Sequence, residues 1–168
     1  MTSAVVDIRP VRPEEHAAVA DLVLRAYRSA GVLGPDDSYA GVVADVTGRA
    51  AVADVHVATG ADGKLLGTVT TARAGQPYAD VATAGELEMR MLAVEPAAAG
   101  RGIGRTLVDF CDSLAVAGGE HALVASVIDS NVGALAMYDR LGFRRRPERD
   151  VRPVPDVLLL VLTRDAGA

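Results

Sequence analysis

Three glycines alternate with larger residues at Gly100-Arg101-Gly102-Ile103-Gly104, and Arg105 and Thr106 follow. A helical pattern begins at Ile103, with Leu107, Phe110, Cys111 and Leu114 on one stripe. Glycine lets a backbone approach an anion closely, and the free N–H groups of a helix start point at it. The chemistry implied is phosphate binding; the competing reading is a connector that binds nothing. Two known phosphate loops fail at required positions. A dinucleotide fingerprint needs G-x-G-x-x-G directly after a strand, but Leu107 stands where its third glycine belongs and Pro96 to Ala99 intervene. A P-loop ends in G-K-[ST] with four residues between that ending and its first glycine, whereas here Ala99 replaces the first glycine and Arg105 the lysine.

Other reactive residue types give weaker signals. Cys111 is the single cysteine, so no intrachain disulfide can form, and its place on the apolar stripe reads as a buried small hydrophobe rather than a nucleophile. His16, His56 and His121 show no metal-ligand spacing, and no metal is expected. Arg144-Arg145-Arg146, with Arg149 and Arg152, reads as a solvated edge.

The elements that must position these groups follow from periodicity. Val5 to Val11 reads as a strand, and Pro13 opens a helix with Glu14 and Glu15 in its first turn. A second helix is expected over Asp36 to Arg49, with Val42, Val43 and Val46 along one side. Strands at Val55–Ala58 and Leu65–Ala72 flank the turn Gly60-Ala61-Asp62-Gly63, a hairpin signal. A loop from Gly75 to Gly85 leads to a strand over Leu87–Val94. Leu123–Ile128 is a further strand, Asp129 to Asn131 offer caps for a helix reaching Leu141, and Val157–Leu162 is a last, buried strand. The order β-α-α-β-β-β-α-β-α-β-β is that of an α/β or α+β fold, read as one domain over residues 1–168. The strand–loop–helix–strand unit from Glu86 to Ile128 makes Leu87–Val94 and Leu123–Ile128 a parallel pair.

A net charge of −5 argues against nonspecific binding to nucleic acid or to an anionic membrane. The apolar runs are too short to span a bilayer, and the opening MTSAVVDIRPVR lacks a leader pattern, so a cytoplasmic location is expected.

Two blocks carry a family resemblance. Glu88 to Pro96, followed by Gly100 to Leu107, resembles the central acetyl-CoA motif of the GNAT superfamily of N-acetyltransferases. Its Q/R-x-x-G-x-G/A pattern falls on Ala99 to Gly104, with Ala99 where Gln or Arg is usual. Asn131 to Phe143 resembles the downstream motif, in which Asn opens a helix and Tyr precedes Leu-Gly-Phe. The resemblance implies a mixed, twisted sheet whose central parallel strands splay apart, flanked by helices. It also implies acetyl-CoA as co-substrate and direct attack by an amine on the thioester.

What the resemblance implies for single residues is as follows. The backbone of Leu92 and Val94 pairs with the pantetheine arm. The N–H groups of Arg101, Gly102, Gly104, Arg105 and Thr106 face the pyrophosphate, and Asn131 contacts the pantetheine region or else only caps its helix. Glu88 occupies the recurrent acidic position and acts as base, directly or through water; Glu86, nearer the loop, is the poorer candidate. Tyr138 protonates the departing thiolate, against the reading of an amphipathic core tyrosine. A small-molecule amine acceptor is expected, and a homodimer is common in the family. A silent acyl-CoA sensor and a protein N-terminal acetyltransferase are the competing functions. The helices from Pro13 to Arg49 and the loop from Gly75 to Gly85 would wall the acceptor site; they offer Tyr27, Asp36, Asp37, Tyr39, Tyr78 and Asp80, which no spacing rule ties to a substrate.

Overall fold

The computed structural model describes residues 5–168; the first four residues of the stretch read as lacking a leader lie outside the described part. Strand β1 (Asp7–Pro10) is followed by a short 3-10 turn at Pro13–Glu15 and helix α1 (His16–Ser29). The second expected helix is in fact two, α2 (Ala40–Ala44) and α3 (Val46–Val52). The break falls at Asp45, whose backbone leaves the helical region so that its side chain accepts a hydrogen bond from the Gly48 N–H, making Asp45 the cap of α3.

Strands β2 (Asp54–Thr59) and β3 (Leu65–Arg73) form the expected antiparallel hairpin, with Gly63 at positive φ in its turn. Then come β4 (Glu86–Val94), α4 (Ile103–Gly118), β5 (Ala122–Ile128) and α5 (Val132–Arg140). The chain closes with β6 (Arg144–Arg145), β7 (Val151–Val154) and β8 (Val157–Asp165). The expected order has one strand between α5 and the last strand; the structure has two there, β6 and β7, both short and paired to β8. Too few residues alternate in them to leave a pattern in the sequence.

The eight strands make one sheet in the order β1-β2-β3-β4-β5-β8-β6, with β7 beside β8. All pairings are antiparallel except β4 with β5. That parallel register runs from Glu86↔Ala122 to Met89↔Ala125 and stops, although β4 continues to Val94 and β5 stays paired with β8 as far as Ile128. The two central strands therefore part at their C-terminal ends, leaving a wedge between Arg90–Val94 and the end of β5.

A bulge in β4 sets what faces the wedge. The β3–β4 register jumps from Thr68↔Ala93 to Thr70↔Arg90, so Met91 and Leu92 together oppose Val69, and Met91 takes a φ of 51°. Strand alternation is reset there. Before the bulge Leu87 and Met89 pack on the α4 side, and after it Leu92 and Val94 do. Met91 and Ala93 join α1, α2 and α3 on the opposite face, to which alternation also assigns Glu88 and Arg90.

Two apolar clusters result. One packs Ile103, Leu107, Val108 and Cys111 of α4 with Leu87, Leu123, Tyr138 and Phe143. The other packs Val19, Leu22 and Val23 of α1 with Val43, Val46 and Val57. Each fully buried aliphatic side chain contributes about 1.5–3 kcal/mol, and these clusters hold both sides of the wedge.

Candidate active site

The wedge ends at the glycine loop. Gly100 and Gly102 both have positive φ, and a Cβ on either would meet nothing within 4 Å. Gly102 caps α4 without any side-chain hydrogen bond, and the first helical bond is Thr106 N–H to the Gly102 carbonyl, 3.0 Å. Among the described residues no protein acceptor takes the N–H groups from Gly100 to Arg105. This is a run of donors beside open space, the arrangement an oxyanion needs. Arg101 and Arg105 are exposed here, Arg105 leaning towards Asp109 at 3.7 Å.

Thr106 departs from expectation. Its N–H and its hydroxyl both donate to the Gly102 carbonyl, the latter at 3.0 Å, so that N–H is not free for an anion. The cause is helix geometry: position four of a helix is the first to find an internal acceptor. Gly104 has a packing role as well. A Cβ there would lie 2.9 Å from Met137 Sδ, so the start of α4, the end of β4 and α5 converge at this point.

Leu92 and Val94 are half-buried on the stretch of β4 that has lost β5 as a neighbour. Their edge has no strand partner on that side and could accept an extended, amide-bearing chain. Asn131 caps α5, its side chain accepting from the Ala134 N–H at 3.2 Å. Tyr138 is 4 % exposed, in edge-to-face contact with Phe143 at 5.0 Å between ring centroids, and burial pushes its phenol pKa up. Cys111 is buried, and desolvation holds its thiol at about 12, protonated and inert.

Glu88 lies on the other face, fully buried. Its Oε2 accepts from the N–H groups of Asp80, Val81 and Ala82 at 2.8, 2.9 and 3.0 Å, while Oε1 has no hydrogen-bond partner. Burial raises its pKa above the usual carboxylate range, against the N–H groups of Val81 and Ala82 and the Arg90 guanidinium, which pull it down. Arg90 Nε stands 3.9 Å from Oε1, Nη2 pairs with Asp80 at 3.0 Å, and the guanidinium lies 4.2 Å over the Tyr78 ring. Tyr27 of α1 reaches the bulge itself, its hydroxyl 3.6 Å from Met91 Sδ. Tyr39 is on the rim of this face, and the Asp37 carboxylate accepts the Tyr39 N–H at 2.9 Å.

Glu86 is committed elsewhere. It is buried and receives two bonds from Arg149, at 2.9 and 2.8 Å, and one from the Thr83 N–H. Burial pushes its carboxyl up, but Arg149 and Thr83 outweigh it and the pKa falls below the usual value. Arg149 is thus no solvated edge residue: the same guanidinium also holds the Val81 carbonyl at 2.7 Å. Sequence reasoning missed the roles of Arg90 and Arg149: Arg149 sits in no motif, and Arg90, although inside the central one, acts on a loop that only tertiary packing brings to it.

The model of the Acetyltransferase (GNAT) family matches residues 34–143, well over half of the chain. The chain belongs to this family and is an acyltransferase. No curated protein matches it. Among solved structures it is similar to a GNAT-family acetyltransferase from Staphylococcus aureus Mu50, at 13% identity over 96% of this chain and 99% of that one, with a TM-score of 0.74. The PaiA N-acetyltransferase from Thermoplasma acidophilum, in complex with coenzyme A, is 15% identical over 94% and 98% of the two chains, with a TM-score of 0.74. A GCN5-related N-acetyltransferase from Kribbella flavida is 25% identical over 95% and 97%, with a TM-score of 0.66. No helix among the described residues is long and apolar enough to cross a membrane.

Proposed function

We propose that this chain moves an acetyl group from acetyl-CoA to a primary amine by direct attack, in the wedge between β4 and β5. The observation that carries the reading is the pairing of that wedge with the unpartnered N–H run at its mouth. These features fit the co-substrate. Gly100 to Arg105 offer donors and open space to a pyrophosphate, Arg101 and Arg105 add positive charge, and the free edge at Leu92 and Val94 suits pantetheine amides. Asn131 presents its remaining amide hydrogens at the start of α5. Bound there, acetyl-CoA supplies an activated acyl group.

The chain's own residues then divide the proton work between the two faces of the sheet. Glu88, on the α1 face, takes a proton from the incoming ammonium through its unpartnered Oε1 or a water. An aliphatic amine has a pKa of about 10.4 and reaches the site charged. Tyr138, in the α4-side cluster, lies on the face from which a thiolate would depart and gives it a proton. The wedge is where these two faces communicate. The single sheet from β1 to β8 supports one catalytic domain over residues 1–168; the reading places it in the cytoplasm, acting on a small molecule, with a homodimer as a possible assembly.

The test is release of free CoA from acetyl-CoA across a panel of small amines and peptides with free N-termini. Turnover of small amines supports the reading. Tight CoA binding with no thiol release from any acceptor would instead mark a silent acyl-CoA sensor, and turnover of peptides alone a protein N-terminal acetyltransferase.

A further inference from the structure

A groove of about 420 Å³ lies between α2, α3 and the loop that follows β3, with Arg49 and Tyr78 in its walls. Arg49 is 2 % exposed, although arginine is always charged. Its Nη1 donates to the Val43 carbonyl at 3.1 Å and to the Val42 carbonyl at 3.4 Å, but Nε and Nη2 have no partner. The Tyr78 hydroxyl is likewise buried and unpartnered. Asp45, the carboxylate of the same wall, makes no ion pair with Arg49 among the described residues; its Oδ1 is used by the Gly48 N–H. Two buried donor groups, one cationic, therefore share one groove with no anion to meet them. A buried charge without a counter-charge is costly, and an arriving oxyanion would offset that cost.

The groove is linked to the chemistry. Tyr78 stacks on Arg90, and Arg90 Nη1 donates to the Tyr78 carbonyl at 3.1 Å, two residues along β4 from Glu88. Val42 and Val52, both large and exposed, give the same groove an apolar rim.

We propose that this groove is the acceptor's oxyanion subsite, and that the acceptor is an amine carrying a carboxylate or comparable oxyanion, of the size of an amino acid. Arg49 supplies the charge and Tyr78 the neutral donor. The assignment rests on the acetyltransferase reading given above, so its test has one arm that needs turnover and one that does not.

In the first arm an apolar α-amino acid, its phosphonate analogue and its descarboxy amine are compared as acceptors. The expected result is a kcat/KM about tenfold or more higher for at least one oxyanion-bearing member; which of the two prevails identifies the anion. Tyr78→Phe, which keeps the ring over Arg90, should shrink that preference by about threefold to tenfold. It is a cleaner variant than any at Arg49, which also ties the end of α2. In the second arm the same three compounds are titrated calorimetrically in the presence of CoA. Oxyanion-dependent binding that weakens in Tyr78→Phe supports the subsite even if nothing is acetylated, in which case the enzymatic reading fails alone. Equal use and equal binding of all three compounds, or a preference indifferent to Tyr78→Phe, would overturn the subsite while leaving the acetyltransferase intact.

Discussion

Glu88 carries two loads at once: Oε2 holds the backbone of Asp80 to Ala82, and Oε1 remains unpartnered beside Arg90. Glu88→Gln keeps an acceptor oxygen for the loop but cannot take a proton. The expected loss in kcat/KM is about 10²-fold at neutral pH, with acetyl-CoA affinity roughly unchanged. The deficit should narrow as pH approaches the amine's own pKa, about 10.4, where no base is needed. A pH–rate profile checks this, and a deficit constant across pH would assign Glu88 to loop support alone. Tyr138 is harder to ionise than an ordinary phenol because it is buried. Proton transfer from a phenol near 10 to a thiolate near 8.5 is already uphill by roughly 2 kcal/mol, and burial adds to that. Tyr138→Phe should therefore cost kcat about tenfold to a hundredfold, towards the lower figure, when measured where chemistry limits the rate.

At the scale of elements, the loop before α4 separates two kinds of glycine. Gly102 has a φ of 79° with open space around it, so Gly102→Ala adds left-handed strain of about 1–2 kcal/mol and a methyl beside the proposed pyrophosphate. Calorimetric titration should show CoA binding weakened by about tenfold, more than the modest loss of Tm would explain. Gly104 has ordinary backbone angles but abuts Met137. Gly104→Val should destabilise the fold by about 1–3 kcal/mol through overpacking, with Met137→Ala recovering part of that in thermal melts. A Gly104 variant alone thus cannot tell cofactor contact from packing. The β4 bulge works at the same scale: by resetting alternation it puts Leu92 and Val94 on the α4 side, where the co-substrate is proposed to lie, while Glu88 and Arg90 stay on the other face.

Across the whole molecule, Arg149 ties the segment after β6 to Glu86 at the start of β4 and to the loop carbonyl of Val81. The folded-state pKa of Glu86 lies below its unfolded value, so its contribution is present above about pH 4.3 and lost as pH falls through the folded pKa. Glu86→Gln should lower stability by about 1–3 kcal/mol at pH 7, with the gap closing in acid; urea unfolding at both pH values checks it. Glu88 has the opposite sign. Its raised folded pKa means that ionisation opposes folding, and its contribution declines as pH rises through that value.

What the sequence determined by itself is what short-range patterns encode. The apolar stripe of α4, the hairpin turn at Gly60–Gly63, the start of α5 just after Asp129 to Asn131 and the glycine loop each depend on residues a few positions apart, so spacing sufficed to place them and the parallel β4–β5 pair. The Val43, Val46, Arg49 stripe held a further signal, a cation at helical spacing among valines, which the expected single helix over Asp36 to Arg49 passed over. Only the tertiary structure decided the rest. Where the β4–β5 pairing ends, which face Glu88 takes, that Thr106 spends its N–H internally, and that Arg49 and Tyr78 meet across one groove all depend on groups brought together from distant parts of the chain or on one bulged residue. Pairing register and burial are set by the packing of the whole sheet against its helices, and a local pattern carries no record of which distant partner will satisfy a side chain.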